Sequence, residues 1–229
     1  MNYVALLVWS LISLVVILLI FIPLADAYQM DMIVQWAHPP NICIWDNKYN
    51  HLFENAVNDW NDKFNNMDGD WTLLYIIVDE NTPTEIVKYC HINMVLVELE
   101  ISKDEEYNGI LGRTSFVVHD NKAFVVVYEE RDPIYYFDFS NAIVKTAKHE
   151  LGHAFGLGHW IPENTDEGLK PWPATLMYEV SNKNYNGTID DYSLAALLCW
   201  YGEDGWGGVN KRTCDFIQKV QIPKINYTG

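Results

Sequence analysis

Eleven residues constrain this chain more than any others: His149-Glu150-Leu151-Gly152-His153-Ala154-Phe155-Gly156-Leu157-Gly158-His159. On an α-helix, residues four apart lie on one face, so His149 and His153 project their imidazoles side by side, a turn apart. Two ring nitrogens held that way can close on one Zn²⁺ at about 2.0–2.1 Å. Glu150 follows the first histidine, which places it beside such a metal and not on it. Gly156 can take the left-handed conformation that ends a helix and turns the chain. That turn brings His159 round as a third ligand. Three protein ligands leave a fourth position for water, the arrangement of a catalytic zinc site. The motif therefore predicts a helix over Ser140–Gly156 with a sharp exit. Three of the chain's 7 histidines lie in it. His38, His51, His91 and His119 are isolated and read as core or surface residues.

The rest of the chain reads as one domain around that helix. Asn41–Trp45 is a short apolar run suited to a strand. His51–Phe64 carries Leu52, Phe53, Ala56, Val57, Trp60 and Phe64 at helical spacing. Asp68-Gly69-Asp70 makes a turn, and Trp71–Val78 is rich in β-branched and aromatic residues. His91–Leu99 alternates as a strand does. Ile110–Val118 and Ala123–Tyr128, joined at His119-Asp120-Asn121-Lys122, read as a hairpin. A last helix is expected from Thr188 to about Trp200, with Thr188 and Asp191 as its capping pair. Trp206 and the glycines around it read as a loop pinned by Cys214. Strands precede most helices, so the expected class is α+β, a twisted mixed sheet with helices packed on it.

Charge and cysteines bear on where such a chain works. Lys+Arg total 15 against 31 Asp+Glu, a formal net charge of −16. Nucleic acid is excluded as a partner, because phosphate binding needs a concentrated positive surface. From Val4 to Ile22 the only polar side chains are Ser10 and Ser13, and Ala25-Asp26-Ala27 follows. Residues 1–27 read as a secretory signal cleaved after Ala27, or as an anchor long enough to span a bilayer; both imply export. Residues 28–229 then form the single domain, secreted or held at the outer face of the membrane by residues 4–22, and monomeric. Cys43, Cys90, Cys199 and Cys214 show no C-x-x-C spacing, and an even number in an exported chain favours two disulfides. Of three connectivities, Cys43–Cys90 with Cys199–Cys214 is favoured: the first ties two early strands, the second closes a short aromatic and glycine-rich loop. The acidic run Asp104-Glu105-Glu106 reads as a solvated loop, with a Ca²⁺ site as the alternative.

With Met177, eighteen residues past His159 in Ala174-Thr175-Leu176-Met177-Tyr178, the eleven-residue motif resembles that of the metzincin zinc endopeptidases, and within them the matrixin-like (matrix metalloproteinase-type) families. The final helix, Ile189-Asp190-Asp191-Tyr192 through Trp200-Tyr201-Gly202, is similar to the matrixin closing helix. The resemblance covers residues 41–202, most specifically 140–202. It implies a zincin fold, His149, His153 and His159 as ligands of one catalytic zinc, and Glu150 as general base. It also implies Met177 in a turn under the metal, and a polypeptide substrate extended along Ile110, Leu111 and Gly112, with Tyr178 shaping a side-chain pocket. Typical matrixins hold a second, structural zinc through several histidines; residues 101–148 contain only His119, so one zinc is expected. The rival reading is an exported binding or adhesion module that keeps a non-catalytic zinc site. Glu150 separates the two, because a structural site needs no carboxylate there and usually closes its fourth position with a protein ligand.

Overall fold

The computed structural model describes residues 35–99, 111–130, 139–159, 175–177 and 187–207. Its five strands are β1 (Asn41–Trp45), β2 (Leu74–Val78), β3 (Ile92–Leu99), β4 (Gly112–Val117) and β5 (Lys122–Glu130). The helices are α1 (Asn50–Phe64), α2 (Thr84–Val87), α3 (Phe139–Ala154) and α4 (Asp191–Tyr201). The strands form one sheet in the order β2-β1-β3-β5-β4. All neighbours run parallel except β4, which pairs antiparallel with β5 from Gly112↔Val127 to Val117↔Lys122. The chain is thus α+β with a mixed sheet, as expected.

Side-chain pattern explains the layering. In α1, Leu52, Phe53, Ala56, Val57, Trp60 and Phe64 are all buried, an apolar stripe at helical spacing. In β5, Ala123, Val125 and Val127 are buried on alternate positions, as a strand with one face on the core must place them. In α3, Ile143, Ala147, Leu151 and Ala154 form the stripe that meets the core, and α3 packs on α1, β4 and β5. His149 and His153 sit two residues beyond Ala147 and Leu151, about 200° round the helix. The core stripe therefore turns the histidine face away from the sheet.

On the sheet's other face Cys43 is disulfide-bonded to Cys90, packed with Val78 and Val87. Tying residues 47 apart stabilises by about 4 kcal/mol on the chain-entropy argument. Of the second expected pair, Cys199 is buried on α4 and Cys214 lies outside the described residues. So do the apolar segment 4–22 and the acidic run 104–106; among the described residues no helix is long and apolar enough to cross a membrane.

Two element starts differ from expectation by three residues. β2 begins at Leu74, because Trp71 and Leu73 are drawn into the core. The last helix begins at Asp191, and its cap is Asp190, whose side chain accepts from Ser193 N; Thr188 is exposed and lies before it. Trp206 lies in a turn, as read, but its ring is part of the core: its centroid lies 5.7 Å from Phe64, 5.2 Å from Trp71 and 4.8 Å from Tyr201.

Candidate metal centre

α3 ends where the sequence says it must. Gly156 has φ 105°, a conformation a side chain disfavours. Its N–H donates to His153 O at 2.8 Å, and Leu157 N–H donates to Gly152 O at 2.9 Å, the paired bonds that close a helix around a left-handed glycine. The chain turns back and delivers His159. Its Nε2 lies 3.2 Å from His149 Nε2 and 3.1 Å from His153 Nε2. Among the described residues this is the group of His, Cys and carboxylate side chains that could hold a metal ion.

The hydrogen bonds behind the rings decide what these nitrogens can do. His149 Nδ1 donates to Leu176 O and His153 Nδ1 to Leu157 O, each at 2.7 Å. A carbonyl can only accept, so each Nδ1 carries the proton and each Nε2 presents a lone pair. Both lone pairs point at the Nε2 of His159, where a single proton could satisfy only one of them. A cation satisfies all three. Ligands about 2.0–2.1 Å from a tetrahedral Zn²⁺ lie about 3.3–3.4 Å apart, close to the separations here. The residues fit the metal.

Burial keeps the ligands neutral. It pushes His149 down to about 4, with the nearby His159 and Lys145 adding to the effect against the Leu176 hydrogen bond. His153 falls to about 3 for the same first reason, with His149 and His159 contributing. Both folded values lie below the unfolded one, so the unfolded chain binds more protons and stability falls as pH drops from about 6.5 towards 4. The metal-free protein should accordingly show a lower denaturant midpoint at pH 5 than at pH 7. An unchanged midpoint would count against buried neutral histidines.

Glu150 points into β4, about 100° round the helix from His149. Thr114 Oγ1 lies 2.8 Å from both Glu150 Oε2 and Glu150 O, so its hydroxyl donates there. Gly112 lies flat against the carboxylate. A Cβ at that position would stand 2.6 Å from Thr146 Cγ2, 2.7 Å from Glu150 Cγ and 2.8 Å from its Oε1. Burial raises the Glu150 pKa to about 7, opposed by the Thr114 hydrogen bond. A carboxyl near neutrality can both take and return a proton.

Met177 is fully buried below the helix. Its Sδ occupies the space beside Gly152, 2.5 Å from where a Cβ would stand. The preceding residue supplies the carbonyl for His149, and Leu176 N–H in turn donates to Asp190 Oδ2 at 2.8 Å. Asp190 Oδ2 also accepts from Thr175 Oγ1 at 2.9 Å and Ser193 Oγ at 3.0 Å, while Oδ1 caps α4 at Ser193 N, 2.9 Å. One carboxylate thus ties the methionine turn, the closing helix and the first histidine together. Met177→Leu conserves volume and should cost under about 1.5 kcal/mol with zinc still bound; loss of zinc as complete as with His159→Ala would make Met177 a direct ligand.

Of the residues singled out in the sequence, His149, His153, His159, Glu150 and Met177 are brought together. Leu111 and Gly112 lie at the β4 edge of the sheet, Leu111 O accepting from Tyr128 N at 2.9 Å. Ile110 and Tyr178 lie outside the described residues. His91 is structural, its Nδ1 accepting from Asn41 N at 3.0 Å. Thr114 and the Leu157 and Leu176 carbonyls went unread. Thr114 had a signal, since it stands two residues from Gly112 and therefore on the same face of β4.

No protein-family model matches the chain, and no curated protein matches it. Among solved structures it is similar to a chain of the ECX AB5 holotoxin in its GM1-bound form. That match has 13% identity and a TM-score of 0.40, and covers 72% of this chain and 77% of that one. It is also similar to archaemetzincin from Methanopyrus kandleri, with 14% identity and a TM-score of 0.35 over 82% of this chain and 97% of that one. Neither likeness is close enough to say more about the chain than its own residues do.

Proposed function

We propose that the chain is a zinc-dependent endopeptidase of metzincin type. The observation that carries the proposal is the convergence of three Nε2 atoms on one point, with a buried carboxyl on the same helical turn as the first of them. His149, His153 and His159 would hold the zinc, which supplies Lewis acidity towards a peptide carbonyl and an attacking water. Glu150, aligned by Thr114, takes the proton of the water as its oxygen adds to the carbonyl carbon. It then delivers that proton to the amine nitrogen as the C–N bond breaks. The outer edge of β4 has no strand partner among the described residues; an extended polypeptide pairing there would pass Gly112, beside Glu150. A structural zinc site has no use for a buried carboxyl at Glu150, and this disfavours a non-catalytic binding module.

The matrixin kinship rests on the motif and the Leu176-Met177 turn. Export, with the chain secreted or anchored by residues 4–22, is supported by the Cys43–Cys90 disulfide. The test is incubation of the purified protein with a denatured-protein and peptide library, with and without a zinc chelator. Cleavage that the chelator abolishes and zinc restores is expected, with one zinc per chain by elemental analysis. Metal-independent cleavage, or none with zinc loaded, would overturn the proposal; two zincs would overturn the inference that the second matrixin site is missing.

A further inference from the structure

Among the described residues, the large apolar side chains left exposed all fall in one stretch of the chain: Leu74, Ile76 and Ile77 on β2, Ile86 on α2 and Tyr89 just after it. Leu74 is 63% exposed and Tyr89 72%. These two are neighbours in space as well. Asn41 is the β1 partner of Leu74, and its side-chain N–H donates to Tyr89 O at 3.3 Å. Side chains along β2 alternate between faces, so Leu74 and Ile76 share the face of Val78, which packs with Val87 of α2 against Cys43 and Cys90. Ile77 shares the opposite face with Tyr75, which packs against the core. β2 borders the sheet, and its outer edge has no strand partner among the described residues. Border strands are normally kept from pairing by Lys, Pro, a bulge or a covering element. Trp71–Val78 contains no charge, no Pro and no Gly, in a chain of net charge −16. The exposed parts of the five side chains amount to about 500 Å², at the upper end of what a monomer leaves bare.

We propose that two copies of the chain pair through β2, antiparallel about a twofold axis that passes at Ile76, in place of the monomer the sequence suggests. Such an axis stands perpendicular to the sheet and joins the two sheets into one, each face continuing its own kind. Full overlap of Leu74–Val78 puts Ile76 opposite Ile76 of the second copy, Leu74 opposite its Val78, and Tyr75 opposite its Ile77. Aromatic and β-branched residues facing one another are favourable cross-strand pairs. Charge selects a second copy as the occupant. Two chains of −16 repel one another in general, yet this register sets Asp79 against Leu73 and Glu80 against Thr72, so no acidic residues meet. Covering the five side chains in both copies buries about 1,000 Å², the lower bound for a specific interface. β4, which carries Thr114 and Gly112 beside Glu150, lies at the far border of the sheet. Pairing through β2 therefore leaves the candidate metal centre open, and the proposal is independent of the peptidase reading.

The experiment is sedimentation of the full chain in a mild detergent that keeps residues 4–22 dispersed. The wild-type protein should show twice the 26.5 kDa of one copy. Ile76→Lys and Ile76→Glu each set like charges against one another across the axis, and each should sediment as a single copy. Mixed in equal amounts, the two should form a pair containing one of each, because only at a residue that faces itself do these substitutions become partners. Ile76 is exposed, so both variants should keep the far-UV circular dichroism of the wild type. Leu74→Lys gives a second reading of dissociation if either variant loses that spectrum. A wild-type single copy, whether its β2 edge is bare or covered by another part of the chain, would overturn the proposal. So would association that survives these substitutions, which would belong to a different surface, or folded Ile76 variants that stay unpaired when mixed.

Discussion

Glu150→Gln should bind one zinc per chain and lose at least 10²-fold, and up to about 10⁴-fold, in kcat, the span that general acid–base catalysis typically supplies. The amide matches the carboxylate in volume, which matters because Gly112 leaves no spare room: the Glu150 Cγ is 2.7 Å from where a Cβ on Gly112 would stand. The amide oxygen can still accept from Thr114, at the 2.8 Å that Oε2 now shows. What is lost is basicity. Stability provides a separate readout. Burial lifts the folded pKa of Glu150 to about 7, above its unfolded value, so the wild-type group contributes stability below the unfolded pKa and loses it as pH rises through the folded one. Compared metal-free, the variant should therefore gain on the wild type between about pH 4.5 and 7 and keep that gain above. A variant that is both less stable above pH 7 and zinc-poor would show that Glu150 is structural. Near-normal turnover with zinc bound would remove it from the mechanism.

The same residues show how far one sequence can be read. The two-ligand helix, its glycine exit and the returning histidine are local in sequence, and local geometry obeys local rules: a spacing of four, then a residue free to take positive φ. The strands β1 and β3 and the hairpin of β4 and β5 were legible for a similar reason: β1 is a short apolar run, and in β5 the alternation records which face is buried. Long-range contacts left weaker traces. Trp206 sits in a turn among glycines, as it reads, but its burial shows only once Phe64, Trp71 and Tyr201 are seen around it. Trp71 and Leu73 have strand-like chemistry, yet they fill the core before β2 begins. Helix α2 is a single turn, Thr84–Val87, with no buried residue and so no periodicity to read. Thr188 and Asp191 have the composition of a capping pair, but the true cap is the neighbouring Asp190, chosen because its second oxygen reaches Leu176 and Thr175. Composition identifies who can cap. Tertiary partners decide who does.

Asp190→Ala should therefore cost more than an ordinary cap. Loss of the Ser193 N bond alone is worth about 1 kcal/mol. The other oxygen strands Leu176 N–H and the hydroxyls of Thr175 and Ser193, all on buried residues, and a buried donor without an acceptor costs about 1–3 kcal/mol. The hydroxyls can turn to other acceptors and the amide cannot, so about 2–4 kcal/mol is expected in total. The more telling effect is on the metal. Leu176 O fixes the His149 ring at 2.7 Å, and when its own N–H comes loose that carbonyl is no longer aimed. Loss of a group orienting a metal-ligating histidine typically weakens zinc 10–100-fold. Leu52→Ala, a cavity in α1 of comparable cost at about 2–5 kcal/mol, provides the control, because Leu52 is buried in the core and supports no ligand. Denaturant melts should show both variants destabilised, while competitive zinc titration at a temperature where both are folded should show weakened binding only in Asp190→Ala. Equal zinc affinity in the two would mean that His149 is held by the packing of α3 alone, and that the link from the closing helix through Leu176 to the ligand carries stability but no function.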